Sequence, residues 1–554
     1  MKAKSFLNKC LLCLLFFLIT FCPTAISKAN YSNGGTVGLN IGFLCAGANS
    51  AEEPVYFADP NLKAVVEETL GVTDPTPADM SGLDELDAYR GEISDLTGLQ
   101  YASNLLGLNL TQNQVCDLSP ISGLTNLQRL YLSDNQISDI SPLSGLTNLQ
   151  HINLSNNQIE SNLFPLSGLV NLIELGLQGN QISDISPLSE LKNLLWLYLG
   201  GNQITDLSPL SGLSKLETIC LSNNQISDIS PLSELTNLQD LYLSGNQISD
   251  ISFVSGLTNL ERLKLGQCQI ADISPISGLT NLLDLYLIDN MISDISPLSG
   301  LTNLEELNLG NNQISGLSPL SGIISLEILY LGSNQIDDLS SLSGLTSLQL
   351  LEFGYNQVSD ISVLSGFTDL QTLYLPNNQV SDVSSLSGLT KLERLSLSYN
   401  QISDISPLSG LMNMEYILLG SNPLDVDAYN IYIPLLESYG TDVHYSSPVW
   451  RTLTVNSTSG GSVIEPGEGA FDYANGTIVD VHAVADQEYY FVEWTGSAVI
   501  AGHVTDPYSA ETTVIIDADY TLEANFEQMQ DVFIYVDADA KGTNNGTSWE
   551  NAYL

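Results

Sequence analysis

Positive charge is what this chain has least of. Its 554 residues carry 15 Lys and Arg against 63 Asp and Glu, a formal net charge of −48 at pH 7. A field of that sign repels nucleic-acid phosphates and anionic membrane surfaces, so neither is expected as a partner. Cysteine is also scarce. Of seven, Cys10, Cys13 and Cys22 fall near the N-terminus, and Cys45, Cys116, Cys220 and Cys268 are scattered without C-x-x-C spacing. Neither a disulfide framework nor a zinc site follows. The four histidines, His151, His444, His482 and His503, lie far apart in sequence. G-x-S-x-G, H-E-x-x-H and phosphate-loop patterns are missing, and carboxylate pairs carry no information in so acidic a chain. No catalysis, cofactor or metal site is expected.

Long apolar runs are missing too, apart from one near the N-terminus. Lys2, Lys4 and Lys9 flank the apolar run Cys10–Phe21, and the small residues Ala25 and Ser27 offer a cleavage site after Ser27. This reads as a signal peptide over 1–27. The run is short for a membrane span. Phe21 before Cys22 and Leu44 before Cys45 argue against lipid attachment. The expectation is an exported protein, secreted or on the cell surface, without membrane insertion. Residues 28–54, rich in Gly, Ser, Asn and Ala, read as a flexible lead-in.

What the chain has in abundance is one sentence repeated. Leu127–Asn148 reads LQRLYLSDNQISDISPLSGLTN, and the grammar L-x-x-L-x-L-x-x-N-x-I-x-D-I-S-P-L-S-G-L recurs over roughly 340 residues. The Asn slot falls at Asn113, Asn135, Asn157, Asn180, Asn202, Asn224 and Asn246. It continues at Cys268 and then at Asn290, Asn312, Asn334, Asn356, Asn378, Asn400 and Asn422. Steps are 22 residues, except 23 between Asn157 and Asn180, and a degenerate repeat with Gly91 in the slot precedes them. That makes about sixteen repeats, long enough to run as a single unit.

The letters have physical meanings. L-x-L predicts a short strand whose leucines point inward while the x residues face out. Parallel stacking of such strands would pair their backbone groups, and the Asn amide would bond the groups orphaned at the following turn. Cys268 cannot replace that amide, so its turn should be weaker. Cys220 and Cys268 sit at different repeat positions two units apart, on the order of 10 Å at sheet spacing, too far for a disulfide. Both read as buried or half-buried thiols. Ser141-Pro142 predicts a 3₁₀ or single α turn, and the Asp column (Asp139 and its counterparts) predicts carboxylates capping it. Ahead of the array, Asp59 as N-cap, Pro60 and Gly71 bracket a helix with Leu62, Val65, Val66 and Leu70 on one face. It would cover the open end of the stack over 55–81.

With this repeat unit, F-A-D-P-N-L at the cap and N-P-L-D…Y-I-P-L-L-E-S-Y-G at Asn422–Gly440, the chain resembles the internalin-type bacterial leucine-rich repeat family. The resemblance implies an α/β-type leucine-rich repeat solenoid over 82–447. Parallel strands would line its concave face and 3₁₀ turns its convex face. It also implies a secreted or surface-displayed protein that binds other macromolecules. From Arg451 the repeat vanishes. Runs at Thr452–Val455, Thr477–Ala483 and Thr512–Ile516 between Gly-Gly, Pro-Gly and Asn-Gly turns predict a small antiparallel β domain over 451–528. The segment ending in TLEANF resembles the divergent internalin B-repeat module, in which Trp494 reads as core. The last residues, 529–554, look like the start of a β-helix that then stops.

Binding, if written anywhere, lies on the outward strand positions. Four residues before each Asn stand Tyr131, Tyr198, Tyr242, Tyr286, Tyr330 and Tyr374, the last five 44 residues apart. Two residues earlier the neighbouring column carries Arg129, Trp196 and Arg262, with acidic residues between. Tyrosine joins apolar area to a hydroxyl at low entropic cost, which suits an interface. The expected partner is a protein or a glycan, bound by a monomer. Two other readings stay open: a structural spacer of the cell surface or matrix, and the non-catalytic part of an extracellular polysaccharide-active enzyme.

Overall fold

The computed structural model describes residues 53–160, 162–447 and 449–529. The signal peptide, nearly all of the lead-in and the tail from 530 onward lie outside the described residues, as does Cys45.

Helix α1 (Pro60–Leu70) starts where the sequence places it. The Asp59 carboxylate accepts the Asn61 N–H at 2.9 Å and the Leu62 N–H at 3.3 Å, and Gly71 ends the helix in the left-handed conformation at φ 66°. The second Asp59 oxygen accepts the Ser94 N–H at 2.7 Å. One side chain therefore both starts the helix and fastens it to the first repeat. Helix α2 (Pro77–Met80) opens on a capping box between Thr76 and Asp79. Leu62, Val66 and Met80 are fully buried in the core that the repeats continue.

Strands β1 (Glu85–Asp87) through β17 (Asp442–His444) are three residues each and form one seventeen-stranded parallel sheet. Each pairs with its sequence neighbours in register, Leu108 opposite Leu130 and Leu130 opposite Ile152. A slip by one residue would turn every inward leucine outward, so the register is tightly specified. Behind the sheet, short 3₁₀ turns such as Ser141–Gly145 bring the chain back. Within a single repeat, Leu127, Leu130, Leu132, Ile137, Ile140, Leu143 and Leu146 are all at most 2% exposed. Helix α3 (Ile433–Ser438), with Ile433 and Leu436 buried, closes the far end beside β17.

The Asn ladder holds successive repeats together. The Asn135 amide donates to Leu110 O of the preceding repeat at 2.8 Å and to Leu132 O of its own at 3.1 Å, and accepts the Val115 N–H at 2.9 Å. A buried primary amide with its donors and acceptor used costs nothing in lost hydration, whereas an apolar substitute would strand three backbone groups. In the Cys268 rung the sulfur stands 3.8 Å from Leu243 O and 3.5 Å from Gly266 O, and burial pushes its thiol pKa up. The Asp column caps as expected. Asp139 accepts the Ser141 N–H at 2.8 Å and its hydroxyl at 2.9 Å, and these bonds hold its carboxyl below the usual range.

The C-terminal region, considered by itself, folds into two small sheets. One orders its strands as β20 (Gly469–Ala474), β18 (Trp450–Ser457), β24 (Tyr520–Gln528) and β22 (Tyr489–Thr495). The other comprises β19 (Gly461–Glu465), β21 (Thr477–Ala485) and β23 (Glu511–Ile516). Their pairs are antiparallel with one exception: β18 and β24, the first and last strands, run parallel. The small antiparallel β domain expected from the sequence is present, with this one parallel pair in addition. Alternating hydrophobicity marks a strand without marking its direction, and the two end strands enter their sheet the same way round. Trp494 is fully buried and donates its indole N–H to Ser509 O at 2.9 Å.

Candidate functional site

On each of the strands β1 to β16 the middle side chain is buried and its two neighbours stand on the open face, as Leu197 does between Trp196 and Tyr198. In-register pairing converts that alternation into two continuous columns on the concave face. One holds Tyr131, Tyr198, Tyr242, Tyr286, Tyr330 and Tyr374, all half-buried. The other holds Arg129, Trp196 and Arg262, also half-buried.

The columns are cross-braced. Asp240, Arg262 and Asp284 lie side by side in register, with Arg262 2.8 Å from Asp240 and 3.3 Å from Asp284. One column over, Lys264 sits between Tyr242 and Tyr286, its ammonium 4.1 Å from the Tyr286 ring centroid and 5.4 Å from that of Tyr242. Both distances are within cation–π range. The Tyr286 hydroxyl donates to Glu306. Burial, then that carboxylate, hold the Tyr286 phenol far above its ordinary pKa. Burial with the nearby Glu174 charge pushes Tyr131 up to about 12. Burial and the adjoining Tyr416 hydroxyl raise Tyr374 in the same direction. At neutral pH Tyr131, Tyr286 and Tyr374 are therefore protonated phenols.

At the N-terminal end Arg129 reaches over Gly107 to pair with Glu85, two strands away. A Cβ at Gly107 would meet the Glu85 carboxylate, the movable end of a side chain that Arg129 holds across this position. His151 pairs with Glu174 at 3.1 Å in the next two strands. Tyr330 and Tyr374 are separated by Glu352, whose carboxylate turns down onto the Gly332 and Gly354 N–H groups, both at 3.0 Å.

The nine outward residues thus form three groups: Arg129 with Tyr131, Trp196 with Tyr198, and Tyr242 with Arg262 and Tyr286. Tyr330 and Tyr374 follow at alternate strands. Lys264, which links the third group, was not singled out from the sequence. Counting four residues back from Cys268 would have found it between the two tyrosines. One hollow, about 730 Å³, is an open trough lined by groups such as Lys215, Glu217, Gln239 and Glu261 rather than by apolar walls. A polar trough of that kind does not suit a drug-sized apolar ligand. No grouping of described His, Cys, Asp or Glu side chains has metal-binding geometry. No helix among the described residues is long and apolar enough to cross a membrane.

Comparison with known proteins agrees with this geometry. The model of Leucine Rich repeats (2 copies) matches in overlapping windows, 103–145 through 192–234 and 236–278 through 390–430. The Divergent InlB B-repeat domain matches 451–530. Nothing among the curated proteins matches. Among solved structures, an internalin (inlF) from Listeria monocytogenes is 33% identical, covering 65% of this chain and 95% of its own, with a TM-score of 0.46. A Leptospira interrogans leucine-rich repeat protein is 25% identical over 66% of this chain and 97% of its own, at a TM-score of 0.53. The functional domain of InlJ from Listeria monocytogenes, which includes a cysteine ladder, shares the fold at 19% identity. It covers 86% of this chain and 97% of its own, with a TM-score of 0.58. An array of 22-residue repeats with a buried Asn rung, followed by a domain of the InlB B-repeat type, places the chain in the leucine-rich repeat family, as an internalin-type member.

Proposed function

We propose that this chain is a secreted or surface-displayed binding protein that holds a protein or glycan partner on its concave face and performs no chemistry. The observation that carries the proposal is the braced tyrosine column: Lys264 clamped between Tyr242 and Tyr286, with Arg262 fixed between two carboxylates beside it. Side chains already held in place lose little further freedom on binding, so their contacts yield affinity rather than offsetting ordering costs. The trio Trp196, Tyr198 and Tyr242 supplies aromatic anchors of the kind that dominate interfaces. The acidic balance of the chain weighs against nucleic acid as the partner. InlB B-repeat and internalin-like domains are typical of surface or secreted bacterial proteins, which supports display outside the cell.

The test is binding of labelled protein to intact candidate partner cells and to a broad protein and glycan array. The parent should bind saturably, and the W196A/Y198A/Y242A variant should bind at least tenfold more weakly while keeping the parent's circular dichroism. Equal binding by parent and variant would remove the concave face as the site. Absence of any saturable binding would favour a spacer role.

A further inference from the structure

The residue just before each ladder position adopts a left-handed backbone conformation, with φ near 56° at Asn156, 57° at Asn223, 51° at Asn311 and 55° at Asn377. Asn, Asp and Gly accept that conformation readily, whereas a bulky side chain meets its own backbone there. Two repeats nevertheless place tyrosine in it: Tyr355 at φ 55° and Tyr399 at φ 58°. Neither ring gains core packing in return, since Tyr355 is 61% and Tyr399 59% exposed. Among the described residues, neither hydroxyl has a hydrogen-bond partner, nor has the side-chain amide of Asn377 on the rung between them.

The backbone here is a continuous ladder. Tyr355 N–H donates to Pro376 O at 2.8 Å, Asn377 N–H to Ser398 O at 2.9 Å, and Tyr399 N–H to Gly420 O at 2.8 Å. Tyr355, Asn377 and Tyr399 therefore occupy successive rungs, and the two tyrosines stand about 10 Å apart, twice the strand spacing. One residue earlier on each of these three rungs lie Gly354, Pro376 and Ser398, none with a long side chain.

We propose that this rim is a subsite for a neutral, extended oligosaccharide, separate from the concave columns and standing whether or not those bind. The two phenol rings offer flat apolar faces for alternate sugar rings, and the Asn377 amide and tyrosine hydroxyls meet the hydroxyls of the sugar between. An added peptide strand is disfavoured, because it needs unpaired backbone N–H groups and these are already spent on the ladder. An anionic glycan is disfavoured, because the row contains no Lys or Arg and the whole chain is strongly negative.

Calorimetric titration of the full chain with cellohexaose, mannohexaose and chitohexaose tests the assignment, with an oligogalacturonate as the anionic comparison. At least one neutral hexasaccharide should bind saturably. Tyr355→Asn combined with Tyr399→Asn should weaken it tenfold or more while leaving the melting temperature unchanged or higher, because Asn suits the left-handed turn. The W196A/Y198A/Y242A variant should bind that sugar like the parent, which separates this subsite from the concave one. The proposal is overturned if no neutral hexasaccharide binds, if the double Asn variant binds undiminished, or if the oligogalacturonate binds more tightly than the neutral sugars.

Discussion

Cys268→Asn should stabilise the middle of the array, and the neighbouring rung indicates by how much. There the Asn290 amide donates to Leu265 O at 2.8 Å and to Leu287 O at 3.1 Å, and accepts the Ile270 N–H at 3.0 Å. The Cys268 thiol has one proton for two carbonyls that stand 3.8 and 3.5 Å from its sulfur, and that sulfur is a weak acceptor for the facing Ile248 N–H. Asn would add about two hydrogen bonds to half-buried groups, each contributing about 0.5–1.5 kcal/mol net, so the gain is about 1–3 kcal/mol. A repeat array loosens locally, and a single melting temperature would dilute the effect. Native-state amide exchange at Ile248 and Gln269 is the appropriate assay. Protection there should rise by roughly five- to 150-fold, since about 1.4 kcal/mol is a factor of ten, while amides near Asn135 keep their rates. Unchanged or faster exchange at Ile248 would refute the idea that this rung is under-bonded.

Three further outcomes follow from the same geometry. Asp59→Ala removes the α1 cap and its tie to Ser94 together, and should cost about 2–3 kcal/mol, read by urea denaturation. Burial raises the Asp59 pKa, but the N–H groups of Ser94, Leu62, Asn61 and Asp95 outweigh it and leave the carboxyl below its ordinary 3.8. Its stabilisation is therefore complete above that value and lost as pH falls through the depressed one. Exchange at Asn61 and Ser94 should accelerate only below about pH 4. Gly107→Ala should displace the Glu85 carboxylate and loosen its pairing with Arg129, and because both side chains are partly exposed the change in stability should be no more than about 1 kcal/mol in the same urea assay.

Much of the scaffold could be read from the sequence because stacking leaves few choices. The 22-residue step and the Asn slot were enough to place the strands, the rungs and the 3₁₀ turns, and Asp59-Pro60…Gly71 was enough to place α1. What escaped were properties of relation. The parallel pairing of Trp450–Ser457 with Tyr520–Gln528 depends on strand direction, which alternation does not encode. The bracing of Tyr242 and Tyr286 by Lys264 needs the register of three repeats at once. The pairing of Arg129 with Glu85 over Gly107 spans two strand steps and is visible only once the register is known. The exposed rim tyrosines were hidden because their position looks like an ordinary turn until its positive φ is known.

The Asn ladder also bears on how the array would yield to mechanical force. Each amide joins two strands, so pulling the chain from one end loads a single rung at a time, as in a zipper, rather than shearing all of them together. Each rung that gives way frees the 22 residues of one repeat, roughly 75 Å of extended chain. An array built this way would lengthen in near-equal increments and dissipate a sudden pull. The rungs still closed would keep their side chains in place for whatever they hold.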